Sequence, residues 1–175
     1  MVVFINGSFG VGKTTVARLL VRQLPHSGLF DPEPFGVVLL HLSAHWPPTA
    51  RVDDFQDLRL WRTASVRLIR AARGLRRTVV VPMTFSNETY LGEFLSGARR
   101  HDADTRHFCL TAPLDVVRER LGRREGRRGP SAWLLRRSAE CCVAHSRPEF
   151  AEHVATENRT PQAVADEILA RLRER

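Results

Sequence analysis

Apolar and polar positions along the chain follow two periods in turn. Continuous apolar, β-branched runs occur at Val2-Val3-Phe4-Ile5 and Thr78-Val79-Val80-Val81, and a third at Arg106-His107-Phe108-Cys109-Leu110. Their lengths suit buried strands. Weaker strand signals fall near Gly28–Phe30, ending at Asp31, and at His153-Val154-Ala155-Thr156. Between these runs, apolar residues return every three or four positions. Residues 13–24 place Val16, Leu19, Leu20 and Leu24 on one helical face, and residues 57–73 do the same with Leu58, Trp61, Ala64, Leu68 and Ala72. Further helices are predicted over 34–43, 88–100, 113–124 and 131–145. A closing helix starts with Thr160 as N-cap and Pro161 at its first position. Five strands alternating with helices predict an α/β fold, a parallel sheet covered on both faces. No repeat, low-complexity tract or long linker intervenes, so residues 1–175 are expected to form a single domain. Ligands in such a sheet lie beyond the carboxyl ends of the strands.

The first strand-to-helix junction carries the chemistry. Gly7-Ser8-Phe9-Gly10-Val11-Gly12-Lys13-Thr14 reads G-x-x-x-x-G-K-T, the phosphate-binding P-loop, in the strand–loop–helix order the motif requires. Its glycines let backbone N–H groups turn inward on an anion, and the helix that follows adds its positive end. Lys13 is a compact cation on a flexible stem, able to reach the β- and γ-phosphates of ATP. The Thr14 hydroxyl is a ligand for Mg²⁺, a hard cation that prefers oxygen. The chain has 27 basic residues, and Lys13 is its only lysine. Arginine has replaced lysine everywhere except where a rigid planar fork would fit poorly.

Composition adds bounds. A chain of 175 residues with 43% hydrophobic and 26% charged residues is ordinary for a globular domain. The formal net charge of +8 favours anionic partners. No apolar run approaches the ~20 residues of a membrane span, and the first strand begins at once with no signal peptide before it. The three cysteines form no CxxC pair; Cys109 falls on a strand, and adjacent Cys141 and Cys142 on a helix. A reduced, cytoplasmic protein is expected.

Other candidate residues surround this centre. Asp31, just past the second strand, is placed either to hold a water on Mg²⁺ or accept a proton from an attacking hydroxyl, or to cap the helix that Pro32 opens. In Asp53-Asp54-Phe55-Gln56 one aspartate is expected to cap the next helix while the other faces substrate. Trp61 fits the apolar stripe of that helix; Arg62 beside it is a candidate for a substrate anion or carbonyl. Between Arg118 and Gly129 lie six arginines in twelve positions, broken by three glycines, which suits a mobile lid over about residues 122–135. Arg120, Arg123 and Arg124 are the candidates to neutralise charge on a transferring phosphate. Trp46, Phe55 and Trp133 are candidate stacking rings, though packing is the commoner use of an aromatic. His41 and His45 have i, i+4 spacing but no third ligand, and no metal site is expected there. The third strand ends at Thr84 where P-loop enzymes often carry an aspartate. A hydroxyl is the weaker Mg²⁺ partner, so Asp31 would have to serve.

The stretches INGSFGVGKT, FDPE, DDFQ, LWR and VVPMT follow in series. After them come an arginine-bearing lid with SAW and a TEN segment before the last helix. Together they resemble the tunicamycin-resistance protein family of P-loop proteins over nearly the whole chain. The resemblance implies the three-layer P-loop nucleoside-triphosphate hydrolase fold of nucleotide and shikimate kinases, with strand order 2-3-1-4-5. It implies ATP with Mg²⁺ held by Gly7, Ser8, Phe9, Gly10, Val11, Gly12, Lys13, Thr14 and Thr15, with Arg120 over the nucleotide and adenine near Asn158. Lys13, Asp31, Arg120 and Arg124 would carry catalysis. Asp31, Glu33, Asp54, Phe55, Arg62 and Thr84 would face the substrate, and Thr14 with Asp31 the metal. The expected ligand is tunicamycin or a similar nucleoside- or sugar-like compound.

Three functions remain open on these residues: phosphorylation of that compound, ATP-dependent binding of it without chemistry, and nucleic-acid binding or phosphorylation through the net positive charge. The last is not expected, because no RNA- or DNA-binding motif appears and the arginines are spread over several helices. Some relatives continue into a longer C-terminal tail suited to membranes, whereas this chain stops at Arg175, so peripheral membrane contact is not expected. A homodimer is left open.

Overall fold

The computed structural model describes residues 1–43, 45, 52 and 54–174. The expectations for Trp46, Pro47, Pro48 and Asp53 lie outside the described residues. Five strands, β1 (Val2–Gly7), β2 (Ser27–Leu29), β3 (Thr78–Pro82), β4 (Thr105–Thr111) and β5 (His153–Ala155), form one parallel sheet in the order β2-β3-β1-β4-β5. Both the parallel sheet and its order match the expectation. Seven α-helices accompany it among the described residues: α1 (Lys13–Gln23), α2 (Glu33–Ser43), α3 (Arg59–Leu75), α4 (Glu88–Arg99), α5 (Leu114–Glu125), α6 (Ala132–His145) and α7 (Pro161–Arg173). Among the described residues, no helix is long and apolar enough to cross a membrane.

The apolar run of β1 is explained by burial on both faces. Successive side chains of a strand point to opposite sides. Val2 and Phe4 enter one core with Trp61, Ile69, Phe94 and Ala144 of α3, α4 and α6. Val3 and Ile5 enter the other with Val16, Leu20, Val164 and Ile168 of α1 and α7. Strand β1 pairs with β3 through Val3–Val80 and with β4 through Asn6–Cys109, so it lies between the two.

Two boundaries differ from the sequence reading. The helix expected over 57–73 starts at Arg59 and runs to Leu75. Asp54 is the reason: its Oδ1 accepts the Gln56 N–H at 2.9 Å and holds Phe55–Asp57 as a separate 3-10 turn. The lid segment is also more ordered than a glycine-broken loop. Helix α5 continues through Gly122, one 3-10 turn covers Gly126–Arg128, and the Ser131 hydroxyl caps α6 by accepting from Leu134 N at 3.2 Å.

Helix α2 crosses the Phe55 turn at Gly36. A Cβ there would lie 2.5 Å from the Phe55 ring and 2.8 Å from Trp61 Nε1. Only a missing side chain allows this approach, and the buried Trp61 ring has little room to yield. Gly36→Ala should therefore cost about 1–3 kcal/mol, read as a lowered midpoint in urea.

Three histidines lie near one another, on β4, at the start of β5 and at the end of α6. His107 Nδ1 lies 3.0 Å from Ala151 O, and His145 Nε2 lies 2.6 Å from Phe85 O. Nε2 of His107, Nδ1 of His145 and Nε2 of His153 have no partner among the described residues. Burial pushes His107 and His145 down to about 4 each, because the charged ring would lose its water. The unfolded chain takes up protons near pH 6.5 that the folded chain refuses. Stability from these rings is full above that pH and is lost as pH falls towards 4. The loss by pH 5 is on the order of 2 kcal/mol per ring. Denaturation at pH 7 and pH 5 should show it, and His107→Gln should shrink the difference.

Candidate nucleotide and acceptor site

The P-loop leaves β1 at Gly7 and enters α1 at Lys13. Gly10 has φ +76, and a Cβ there would lie 2.9 Å from Leu121 of α5, so the turn needs glycine for both reasons. Lys13 Nζ donates to Ser8 O at 2.9 Å and lies 5.5 Å from the centre of the Phe9 ring. It is held inside its own loop, and burial lowers its pKa from the ordinary lysine value against the raising pull of Glu33. Val11 is buried, while Thr14 and Thr15 are exposed, leaving their hydroxyls open. Helix α6 backs the loop: Ser8 Oγ donates to Ser138 O at 3.2 Å, and Phe9 meets Trp133 edge to face at 5.8 Å.

One cavity is lined by the loop itself, and a second meets it through Trp133, which packs on Phe9. The smaller, about 280 Å³, is bounded by Gly10, Gly12, Arg120, Thr156 and Arg159. Arg120 donates to Thr156 Oγ1 at 2.9 Å and to Thr156 O at 2.8 Å, tying α5 to the loop after β5. Asn158, in that loop, adopts φ +52, the left-handed turn that asparagine tolerates well. Arg120 and the expected adenine loop therefore meet at one place. Arg123 and Arg124 do not join them: Arg123 pairs with Glu119 and Arg124 with Glu125.

The larger cavity, about 780 Å³, lies between α6, the start of α4 and the Phe55 turn, with Asp54, Ser86, Tyr90, Trp133 and Arg137 among its walls. Asp54 Oδ2 accepts from Arg137 at 2.9 Å, and Arg137 also reaches Glu140 at 2.6 Å.

The carboxylates divide their roles. Asp31 Oδ1 accepts the Glu33 N–H at 3.0 Å, which is the helix-opening role of an Asp-Pro pair. Glu33 Oε1 accepts from Thr84 Oγ1 at 2.9 Å, so a carboxylate stands at the end of β3 after all, supplied by α2. Burial pushes Glu33 above the ordinary glutamate value; Lys13 and the Thr84 hydrogen bond oppose that shift. Gln56 Nε2 donates to Thr84 O at 2.6 Å, and Trp61 Nε1 holds Pro32 O at 3.0 Å.

Two expected substrate contacts sit elsewhere. Phe55 packs on Trp61 with ring centres 4.8 Å apart. Arg62 is buried, donating to Gln56 O at 2.5 Å and Glu93 Oε2 at 3.0 Å, with its guanidinium 4.0 Å from the Tyr90 ring centre. These partners take its fork away from the acceptor cavity.

The AAA domain family profile matches residues 2–137. The chain belongs to the AAA domain family. Among solved structures it is similar to the Deinococcus radiodurans tunicamycin resistance protein, with 29% identity, a TM-score of 0.78, and 98% of this chain and 95% of that chain covered. A gluconokinase from Sinorhizobium meliloti shares the fold at 18% identity and TM-score 0.71, covering 98% and 91%. The Acinetobacter baumannii shikimate kinase, in complex with shikimate, shares it at 16% identity and TM-score 0.61, covering 98% and 92%. A search of curated proteins found no match to the chain. This AAA domain thus shares its P-loop fold with these kinases, and the resemblance read from its motifs holds in three dimensions.

In this AAA domain, sequence reasoning missed Arg137 and Gln56. Arg137 is one of two adjacent arginines on α6, and only the fold shows that its partner is Asp54. Gln56 sits in the DDFQ stretch, but its amide acts on Thr84, 28 residues away.

Proposed function

We propose that this chain is a small-molecule kinase. It would bind ATP with Mg²⁺ at the P-loop and transfer the γ-phosphoryl group to a hydroxyl of tunicamycin or a related nucleoside- or sugar-like compound. The observation that carries this reading is Glu33, whose carboxyl group is fixed by Thr84 beside the P-loop lysine. The donor set fits the cofactor: an exposed Thr14 hydroxyl, a lysine ammonium that donates to Ser8 O, and the nearby carboxyl group of Glu33. Among the described residues no group of three His, Cys, Asp or Glu could hold a metal, so magnesium would depend on Thr14, one carboxylate and the phosphates themselves. When bound, the metal would neutralise charge on the transferring phosphate.

The chain's own residues do the rest. Loop amides and Lys13 hold the phosphates, and Arg120 with the Asn158 loop closes the nucleoside side. Glu33 takes the proton from the acceptor hydroxyl as that oxygen bonds to phosphorus and ADP leaves. A base whose pKa is raised towards neutrality is better matched to that transfer. Arg137 and Asp54 present a donor and an acceptor in the larger cavity for the substrate's polar groups. Similarity to a tunicamycin resistance protein over nearly the full chain supports the choice of acceptor. The test is to incubate the protein with ATP, Mg²⁺ and tunicamycin and weigh the antibiotic by mass spectrometry. A gain of one phosphoryl group is expected. An unchanged mass, with ATP-dependent binding intact, would leave sequestration as the function instead.

A further inference from the structure

Behind the acceptor cavity, the groove between α3 and α4 forms a second cavity of about 780 Å³. Its rim carries Arg59, Arg67, Arg100 and His101, all exposed. None of these side chains has a hydrogen-bond or ion-pair partner among the described residues. The acid in the groove, Glu93, is already neutralised by Arg62 at 3.0 Å. Three guanidinium groups therefore face one concavity with no compensating charge. This contrasts with the arginines of α7 and the lid, where Arg171 pairs with Glu167 and Arg123 with Glu119. The floor is open and partly apolar: Gly92 has free space where a side chain would be, and Gly97 lets Val66 approach closely.

The wall between this groove and the acceptor cavity is Arg62. Glu93 holds it from the groove side, and Tyr90, which lines the acceptor cavity, lies on its face at 4.0 Å. From Arg62 the hydrogen bonds run to Gln56 O at 2.5 Å, from Gln56 to Thr84 O at 2.6 Å, and from Thr84 to Glu33 at 2.9 Å. An anion entering the groove meets the far end of the chain of contacts that fixes the carboxyl group of Glu33.

We propose that the α3–α4 groove is a second binding site, for a small phosphate-bearing anion, and that its occupancy is transmitted through Arg62 to the Phe55–Asp57 turn. Guanidinium forks match phosphate oxygens two at a time, which makes a phosphate ester or pyrophosphate the fitting chemistry. The site is distinct from the P-loop and does not depend on the kinase reading.

Inorganic pyrophosphate is the probe, titrated by calorimetry into the wild type, Lys13→Ala, and the pair Arg67→Ala/Arg100→Ala. Two classes of site are expected in the wild type. Lys13→Ala should keep the groove class, and the arginine pair should weaken it by roughly tenfold or more. In Lys13→Ala, pyrophosphate should also slow amide hydrogen exchange across Gln56–Leu58 by roughly threefold. Glu93→Gln, which loosens Arg62 without emptying the rim, should keep binding and lose that protection. Binding that vanishes in Lys13→Ala, or is equal with and without the two arginines, would overturn the site. Exchange untouched by pyrophosphate would overturn the transmission.

Discussion

Glu33→Gln lowers kcat for phosphoryl transfer by about 10²–10⁴-fold, the usual contribution of a positioned base. The substitution keeps the volume and the acceptor oxygen for Thr84 Oγ1, so the wall of the site stands. It removes the proposed base. ATP affinity should stay within roughly threefold, because Glu33 is not among the loop groups that grasp phosphate. The pH profile supplies an independent check. The wild-type rate should rise with pH through an apparent pKa above the ordinary glutamate value, since burial raises Glu33. That limb should be missing in Glu33→Gln. If Asp31 were the base, Asp31→Asn would abolish the limb and Glu33→Gln would keep it. Asparagine at 31 keeps an oxygen for the Glu33 N–H, so Asp31→Asn should leave the helix start and the rate nearly unchanged.

Trp61→Ala destabilises the protein by about 3–5 kcal/mol, the range for emptying a large aromatic from a core. Trp61 is 1% exposed and touches three other rings: Phe55, Phe85 and Phe94. Its indole N–H also holds Pro32 O, between Asp31 and Glu33. The residue thus joins core packing to the site. Trp61→Phe separates the two roles. It retains most of the packing, loses the hydrogen bond at about 1 kcal/mol, and frees the backbone that carries Glu33. The expected result is a modest fall in urea midpoint with a larger fall in kcat than in ATP affinity. Equal losses in both would assign Trp61 to packing alone.

Much of this was legible in the chain. The apolar runs of β1, β3 and β4 and the P-loop between β1 and α1 have local causes: β-branched side chains, glycines, one lysine. Thr160-Pro161 opened α7 as capping chemistry predicts, with Thr160 accepting from Ala163 N at 3.2 Å. The misreadings share another origin. Arg62 looked like a substrate clamp because it follows Trp61 on the helix, yet its partners are Glu93, 31 residues away, and the Gln56 carbonyl. Thr84 looked like a missing carboxylate because the acid that reaches it is 51 residues earlier. Local pattern names the elements and the phosphate loop. Which distant acid or amide completes a site is decided by how α2 and α3 pack on the sheet.

The most direct measurement is a calorimetric titration of ATP with Mg²⁺ into the wild type and Lys13→Ala. Phosphate grasp by the loop and its one ammonium predicts saturable one-to-one binding in the wild type. It also predicts a loss of roughly tenfold or more in the variant, whose urea midpoint should match the parent's. ATP binding of equal strength in both proteins would contradict the account.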